Sequence, residues 1–133
     1  GITEEQLSYE LYMTEDQIRT LKRHGMFIGI HGYDHYWLGN LSMEEIQKDI
    51  SRALESMDEF IDKSCWVMNY PYGSYNEYLL SNIQSEGAYM GLTTEVGIAS
   101  LKKENILKLP RLDCNDFPPI SNKYEGYLKI GGA

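Results

Sequence analysis

Two of the three histidines in this 133-residue sequence lie four positions apart, at His31 and His35. They directly follow the apolar run Phe27-Ile28-Gly29-Ile30, which is typical of a buried parallel strand. If the chain turns helically there, imidazoles at positions i and i+4 share one face and could bind one cation. The same spacing also occurs by chance in loops, where the rings would only form hydrogen bonds. A catalytic zinc site needs about three protein ligands, and the adjacent Asp34 would point elsewhere if both rings converge.

A second group of candidate residues follows the next apolar run, Cys65-Trp66-Val67-Met68. It reads Asn69-Tyr70-Pro71-Tyr72-Gly73-Ser74-Tyr75-Asn76, a turn signal built around a rigid proline and a glycine. The backbone N–H of Tyr72 could stabilise a developing oxyanion, and the aromatic rings could form the wall of a sugar-sized groove. An ordinary strand-to-helix turn would have the same sequence character.

A third group is Pro110-Arg111-Leu112-Asp113, which follows a further short apolar run. Arg111 beside an aspartate could hold that carboxylate in its charged form, or the two could be a weak surface pair. All three groups follow predicted strands, and the carboxyl ends of parallel strands meet at one edge of a sheet. We therefore expect the three groups to lie on the same rim.

Helices and short strands alternate along the chain. Capping patterns begin helices at Thr14, Ser42 and Ser74, and Gly25 and Gly87 suit the ends of the first and third. The charged face of the second helix is predicted to be a solvated surface. Residues 1–13 are predicted to be an extended lead-in or a stub of something longer. The predicted helices lie over 14–24, 42–61 and 74–86, and the predicted strands over 26–30, 65–68, 88–93 and 106–109. A polar loop is predicted over 94–105 and a partly mobile tail over 115–133.

This order of elements predicts an α/β fold with parallel strands and right-handed crossovers in a single domain, 1–133. The strands are too few to close an eight-stranded barrel. The sequence begins Gly1-Ile2-Thr3 without an initiator methionine, which indicates an expression scar, a processing site or an internal cut, and whether the natural protein is longer stays open.

The composition disfavours several classes of partner. The formal net charge of −8 disfavours nucleic acid and anionic membrane surfaces, and no apolar run approaches the ~20 residues of a membrane span. Cys65 and Cys114 have no C-x-x-C pairing, so we expect buried or free thiols. Two unpaired cysteines slightly favour the cytoplasm over the cell envelope and leave the compartment open.

From about residue 14 to 113 the ordered motifs resemble the polysaccharide deacetylase family, carbohydrate esterase family four. The resemblance rests on Arg23-His24-Gly25, on His31-x-x-x-His35 with Leu38 after it, on Tyr70-Pro71-Tyr72-Gly73-Ser74-Tyr75-Asn76, and on Leu109-Pro110-Arg111. It implies a partial β/α barrel and a hydrolase that removes N-acetyl groups from sugars of a bacterial envelope polysaccharide or its precursor.

The resemblance also implies roles for individual residues. His31 and His35 resemble ligands of a divalent metal, usually zinc, whose bound water attacks the acetyl carbonyl. Pro71 and Tyr72 resemble the substrate wall, with the Tyr72 amide in the oxyanion hole, and Arg111 resembles the arginine that orients a catalytic carboxylate. The aromatic residues Tyr70 and Trp37 are further candidates for substrate binding.

The sequence also departs from the family. Nothing before His31 resembles the family's Asp-Asp motif, which supplies the general base and third ligand, and no histidine follows His35 as general acid. Gly32 stands in place of a Ser or Thr, and Asn69 in place of a common Arg, for which Arg111 could compensate. We therefore expect weak metal binding and a catalytically incomplete chain.

Two alternatives stay open from the sequence. One is a non-catalytic sugar-binding or assembly module derived from a deacetylase, which could pair with a second copy through an exposed sheet edge. The other is an amide hydrolase that uses the same water activation on a substrate other than a sugar.

Overall fold

A three-stranded parallel sheet forms the centre of the computed structural model, which describes residues 1–128. The strands are β1 (Trp66–Asn69), β2 (Ala88–Val96) and β3 (Leu109–Arg111), in the order β1-β2-β3. Both neighbouring pairs are parallel. An α-helix over Glu77–Ser85 connects β1 to β2, and a loop with one 3₁₀ turn, Lys103–Asn105, connects β2 to β3. The parallel sheet with its helices confirms the predicted α/β class.

The helices are α1 (Glu4–Leu11), α2 (Glu15–Arg23), α3 (Met43–Ser56), α4 (Glu77–Ser85) and α5 (Glu125–Leu128). Capping boxes at Thr14 and Ser42 begin α2 and α3 as predicted. The cap of α4 is Asn76, whose side chain accepts the Leu79 N–H, and not the predicted Ser74. No helix within residues 1–128 is long and apolar enough to span a membrane.

The predicted extended lead-in is wrong, because α1 is a helix with its own capping box between Thr3 and Gln6. This helix buries none of its residues. The Thr-x-x-Gln pattern predicts the start of α1, but α1 lacks the apolar stripe that normally identifies a packed helix.

The predicted strand over 26–30 is reduced to one parallel bridge between Ile30 and Met68. Ile30 N–H donates to Val67 O, and Asn69 N–H donates to Ile30 O, each at 2.8 Å. This bridge still places the end of the segment beside the end of β1. His31 therefore begins at the same edge of the sheet as Asn69.

Several other boundaries differ from prediction. The helix predicted over 42–61 is α3, which ends at Ser56; turns follow in place of its last predicted residues, although Phe60 remains buried. Strand β2 continues to Val96, into the predicted loop. Pro110 lies inside β3, which tolerates a proline because β3 is an edge strand.

In the predicted tail, 3₁₀ and α-helical turns lie between residues 114 and 128, and residues 129–133 are outside the described residues.

The core lies between α3, α4 and the sheet. Trp66 is fully buried in this core and donates its indole N–H to Glu86 O at 2.9 Å. Full burial of an aliphatic or aromatic side chain stabilises a fold by about 1.5–3 kcal/mol. The apolar core side chains with 0% exposure are Leu38, Ile46, Ile50, Trp66, Met68, Leu79 and Ile83. Cys65 and Cys114 are free and exposed, so of the two expected states the free thiol is the observed one.

Candidate functional site

His31 and His35 bring their imidazole Nε2 atoms to 3.1 Å from each other at the carboxyl edge of the sheet. His31 Nδ1 lies 2.8 Å from Asn69 O. Because a carbonyl can only accept, Nδ1 of neutral His31 carries the proton and its Nε2 presents a lone pair. The bond to β1 therefore fixes both the tautomer and the direction of the first imidazole.

This pair of nitrogens fits two ligands of one small divalent cation. Zinc–nitrogen bonds of about 2.0–2.1 Å at tetrahedral angles place two ligand nitrogens roughly 3.4 Å apart. The observed separation of 3.1 Å needs little adjustment to reach that value. Within residues 1–128, however, no group of three or more His, Cys, Asp or Glu side chains is arranged to hold a metal ion.

The sequence pattern suggested that a helical turn would bring the two rings together, but the rings converge without one. Residues 31–37 form bends and irregular backbone, and His35 has φ 57°. The second residue with positive φ among the described non-glycine residues is Tyr72, at 58°. Both unusual conformations lie in the site, and the rings of these two residues meet edge to face with centroids 4.8 Å apart.

Trp37 and Tyr72 form an aromatic platform beside the histidines. Their rings are parallel to within 4°, with centroids 4.4 Å apart. Trp37 is 54% exposed and Tyr72 is 50% exposed, so ring surface remains available to a ligand. The two backbone N–H groups after Tyr72 form hydrogen bonds inside the turn: Gly73 N–H donates to Tyr70 O, and Ser74 N–H donates to Pro71 O.

Tyr70 and Pro71, predicted to contact substrate, lie in the core. Tyr70 is 1% exposed and donates its hydroxyl to Leu107 O at 2.7 Å. Pro71 is also fully buried, within the 3₁₀ turn Pro71–Gly73. Neither side chain offers surface to a ligand, which argues against the predicted direct contact.

Arg111 reaches from β3 toward the same rim. Its Nε donates to Thr93 O at 2.9 Å, and its Nη1 lies 3.4 Å from Asn69 Oδ1. The structure therefore brings Arg111 to Asn69, the residue for which it was expected to compensate. Asp113 does not pair with Arg111 and instead accepts Asn115 N–H in the following turn.

Asp49 is a site residue that the sequence interpretation missed, because it assigned all charges of α3 to a solvated face. The side chain is 3% exposed and accepts Tyr33 N–H at 2.9 Å and Asp34 N–H at 3.0 Å. A signal was present: Asp49 lies three residues after Ile46 and four before Ala53, on the apolar stripe itself.

Comparison with known proteins places this geometry in context. A model of the family described as polysaccharide deacetylase matches residues 3–91. The Bacillus subtilis (strain 168) protein named "Putative polysaccharide deacetylase YxkH" is 31% identical over 94 residues, which are 71% of this chain and 34% of the relative. This chain thus spans about a third of the length of that relative.

A similar solved structure is the Streptococcus pyogenes deacetylase PplD in complex with acetate. The TM-score is 0.75 at 25% sequence identity, and the match covers 93% of this chain and 53% of that one. The three parallel strands and their helices therefore correspond to part of a deacetylase-type β/α barrel, as expected.

Proposed function

Because this chain belongs to the polysaccharide deacetylase family, we propose that it takes part in hydrolytic removal of N-acetyl groups from sugars, with a divalent cation such as zinc as cofactor. The observation that carries the proposal is the 3.1 Å approach of His31 Nε2 and His35 Nε2, with His31 Nδ1 held by Asn69 O. A metal-ligating histidine typically donates its other ring N–H in this way.

His31 and His35 would hold the cation through Nε2. When bound, such a cation would polarise an acetyl carbonyl and lower the pKa of a water molecule toward 7. The Asn69 carbonyl keeps His31 in the ligating tautomer. Arg111, at 3.4 Å from the Asn69 side chain, places a positive charge near the site, where it would hold a carboxylate in its ionised form.

The aromatic platform of Trp37 and Tyr72 would bind the apolar face of a sugar ring. Binding sites for small ligands combine such aromatic surface with a few well-placed polar groups. The Tyr72 N–H would donate to the acyl oxygen as negative charge develops there. Tyr72 has φ 58°, and its ring stacks on Trp37 with centroids 4.4 Å apart.

The second candidate function is a non-catalytic sugar-binding or assembly module. Two features favour it: the exposed aromatic platform, and the finding that His31 and His35 have no third protein ligand within residues 1–128. Under either proposal residues 1–133 alone should bind zinc weakly, because two imidazoles supply fewer protein ligands than the three of a typical catalytic site.

Zinc titration by calorimetry tests the proposal. We expect one weak site that dialysis empties and that is lost in His31→Ala. His24→Ala is the matched control, because His24 caps α2 and bonds to Thr20 O, away from the pair. Absence of any histidine-dependent binding would contradict the cofactor, and stoichiometric zinc that survives dialysis would contradict the incomplete site.

Acetate release distinguishes the two candidate functions. Pure protein is incubated with an acetylated chito-oligosaccharide and zinc, and both sugar binding and free acetate are measured. Release of acetate that depends on His31 would contradict the non-catalytic module. Sugar binding without release would favour that module for residues 1–133.

A further inference from the structure

The buried carboxylate of Asp49 lies directly beneath the loop that carries both histidines. It projects from α3 between Ile46 and Ile50, which are fully buried. Removing a carboxylate from water is costly unless its oxygens receive hydrogen bonds. Here each oxygen receives one: Oδ2 accepts Tyr33 N–H at 2.9 Å, and Oδ1 accepts Asp34 N–H at 3.0 Å.

These two N–H groups belong to the middle of the His31-to-His35 loop, so the carboxylate fixes the backbone between the two candidate ligands. Gly32 makes room for this contact. A Cβ at Gly32 would lie 3.1 Å from Asp49 Oδ2 and 3.5 Å from Pro71 Cγ, and the residue has φ +71°. The absence of a side chain at Gly32 therefore lets the loop approach the Asp49 carboxylate closely.

A second contact from α3 holds the same residues by their side chains. Arg52 Nη1 pairs with Asp34 Oδ2 at 3.1 Å, and its guanidinium lies 3.9 Å from the centroid of the Tyr33 ring. Arg52 and Asp34 are both partly exposed, so this pair is accessible to solvent and salt. The bonds to Asp49 are partly buried and end on a carboxylate that is 3% exposed, so solvent and salt screen them less than the Arg52–Asp34 pair.

We propose that Asp49 is a positioning residue: its carboxylate holds the Tyr33 and Asp34 amides so that His31 Nε2 and His35 Nε2 stay close enough to share one cation. The cation in this statement rests on the proposed function. The restraint of the loop does not, and it can be measured without metal.

The test compares Asp49→Asn with Glu55→Gln, a control that removes the same charge from the exposed face of α3. An asparagine can accept only one of the two N–H groups and turns its own NH₂ toward the other. In metal-free protein, we expect amide exchange of Tyr33 and Asp34 to accelerate by about tenfold or more, with core amides unchanged. Zinc affinity, measured on folded protein, should fall about tenfold, as for outer partners of metal ligands.

Gly32→Ala perturbs the same contact from the loop side and decides the question if Asp49→Asn does not fold. Its control is Gly25→Ala, which has a similar φ of +81° but nothing within 4 Å of the added Cβ. Both variants carry similar backbone strain, but only Gly32→Ala should accelerate Tyr33 and Asp34 exchange.

Unchanged exchange at Tyr33 and Asp34 in the folded variants would overturn the proposal. So would Asp49→Asn binding zinc as tightly as Glu55→Gln. If the unaltered protein shows no histidine-dependent zinc binding, the proposed cofactor fails, while the metal-free exchange result still decides the role of Asp49.

Discussion

Replacing Tyr70 with phenylalanine should destabilise the protein without weakening sugar binding. The phenol is 1% exposed and donates to Leu107 O at 2.7 Å. Removing the hydroxyl leaves a carbonyl without that donor, at a cost of about 1–2 kcal/mol. For a domain of this size, that corresponds to a fall in Tm of about 3–8 °C.

The same substitution should change how stability depends on pH. Burial, with a smaller contribution from Tyr75, raises the pKa of the Tyr70 phenol above its ordinary value. The folded state therefore keeps a proton that the unfolded chain loses above a pH of about 10. This contribution to stability is complete below that pH and is lost as the pH rises above it, by about 1.4 kcal/mol per pH unit. Tyr70→Phe should remove this slope.

Urea unfolding at neutral pH and at a series of alkaline pH values measures both effects. Tyr89→Phe is the control, because Tyr89 is 58% exposed. Chito-oligosaccharide affinity measured in parallel should stay within about twofold, since the Tyr70 ring reaches no ligand surface. The reasoning fails if Tyr70→Phe is as stable as Tyr89→Phe, if the alkaline curves of the two variants run parallel, or if sugar binding is lost while stability is retained.

Two further predictions concern the platform and the sheet. Trp37→Ala should weaken chito-oligosaccharide binding by about tenfold, which is the loss expected for an aromatic contact worth about 1.5 kcal/mol. The control variant Tyr89→Ala should bind as the unaltered protein does. Equal affinities of the two variants by calorimetry would exclude the platform as the binding surface. Gly91→Ala should lower the free energy of unfolding by about 2 kcal/mol or more, because the added Cβ would overlap Leu107 O and the Tyr70 hydroxyl. Gly97→Ala is the control, because its Cβ would meet only Pro110 carbons at 3.4 Å or more. Similar stabilities of these two variants in urea would contradict the close packing at Gly91.

Local sequence patterns predicted the elements that depend on local interactions. The capping boxes at Thr14 and Ser42 satisfy backbone N–H groups within four residues, so their effect is readable without the rest of the fold. The same rule would have found α1 from Thr3 and Gln6. As a strand, the segment 26–30 depends instead on pairing with another strand, and within the described residues Ile30 alone forms such a bridge, to Met68.

The composition of the candidate site was predictable, but much of its geometry was not. The family motifs identified His31, His35, Tyr72 and Arg111, and the structure brings all four to one rim. The burial of Tyr70 depends on Leu107, 37 residues away. Similarly, the role of Asp49 depends on amides 15 and 16 residues earlier, a distance that helix periodicity cannot reveal.

The left-handed backbone at His35 and Tyr72 has a consequence for protein engineering. Such a conformation costs a residue with a side chain about 1–2 kcal/mol, a cost that glycine does not have. A directed-evolution campaign that selects only for heat resistance would therefore favour glycine at both positions. It would enrich variants that survive heating and have lost an imidazole and half of the aromatic platform, so such a library needs a simultaneous selection for ligand binding.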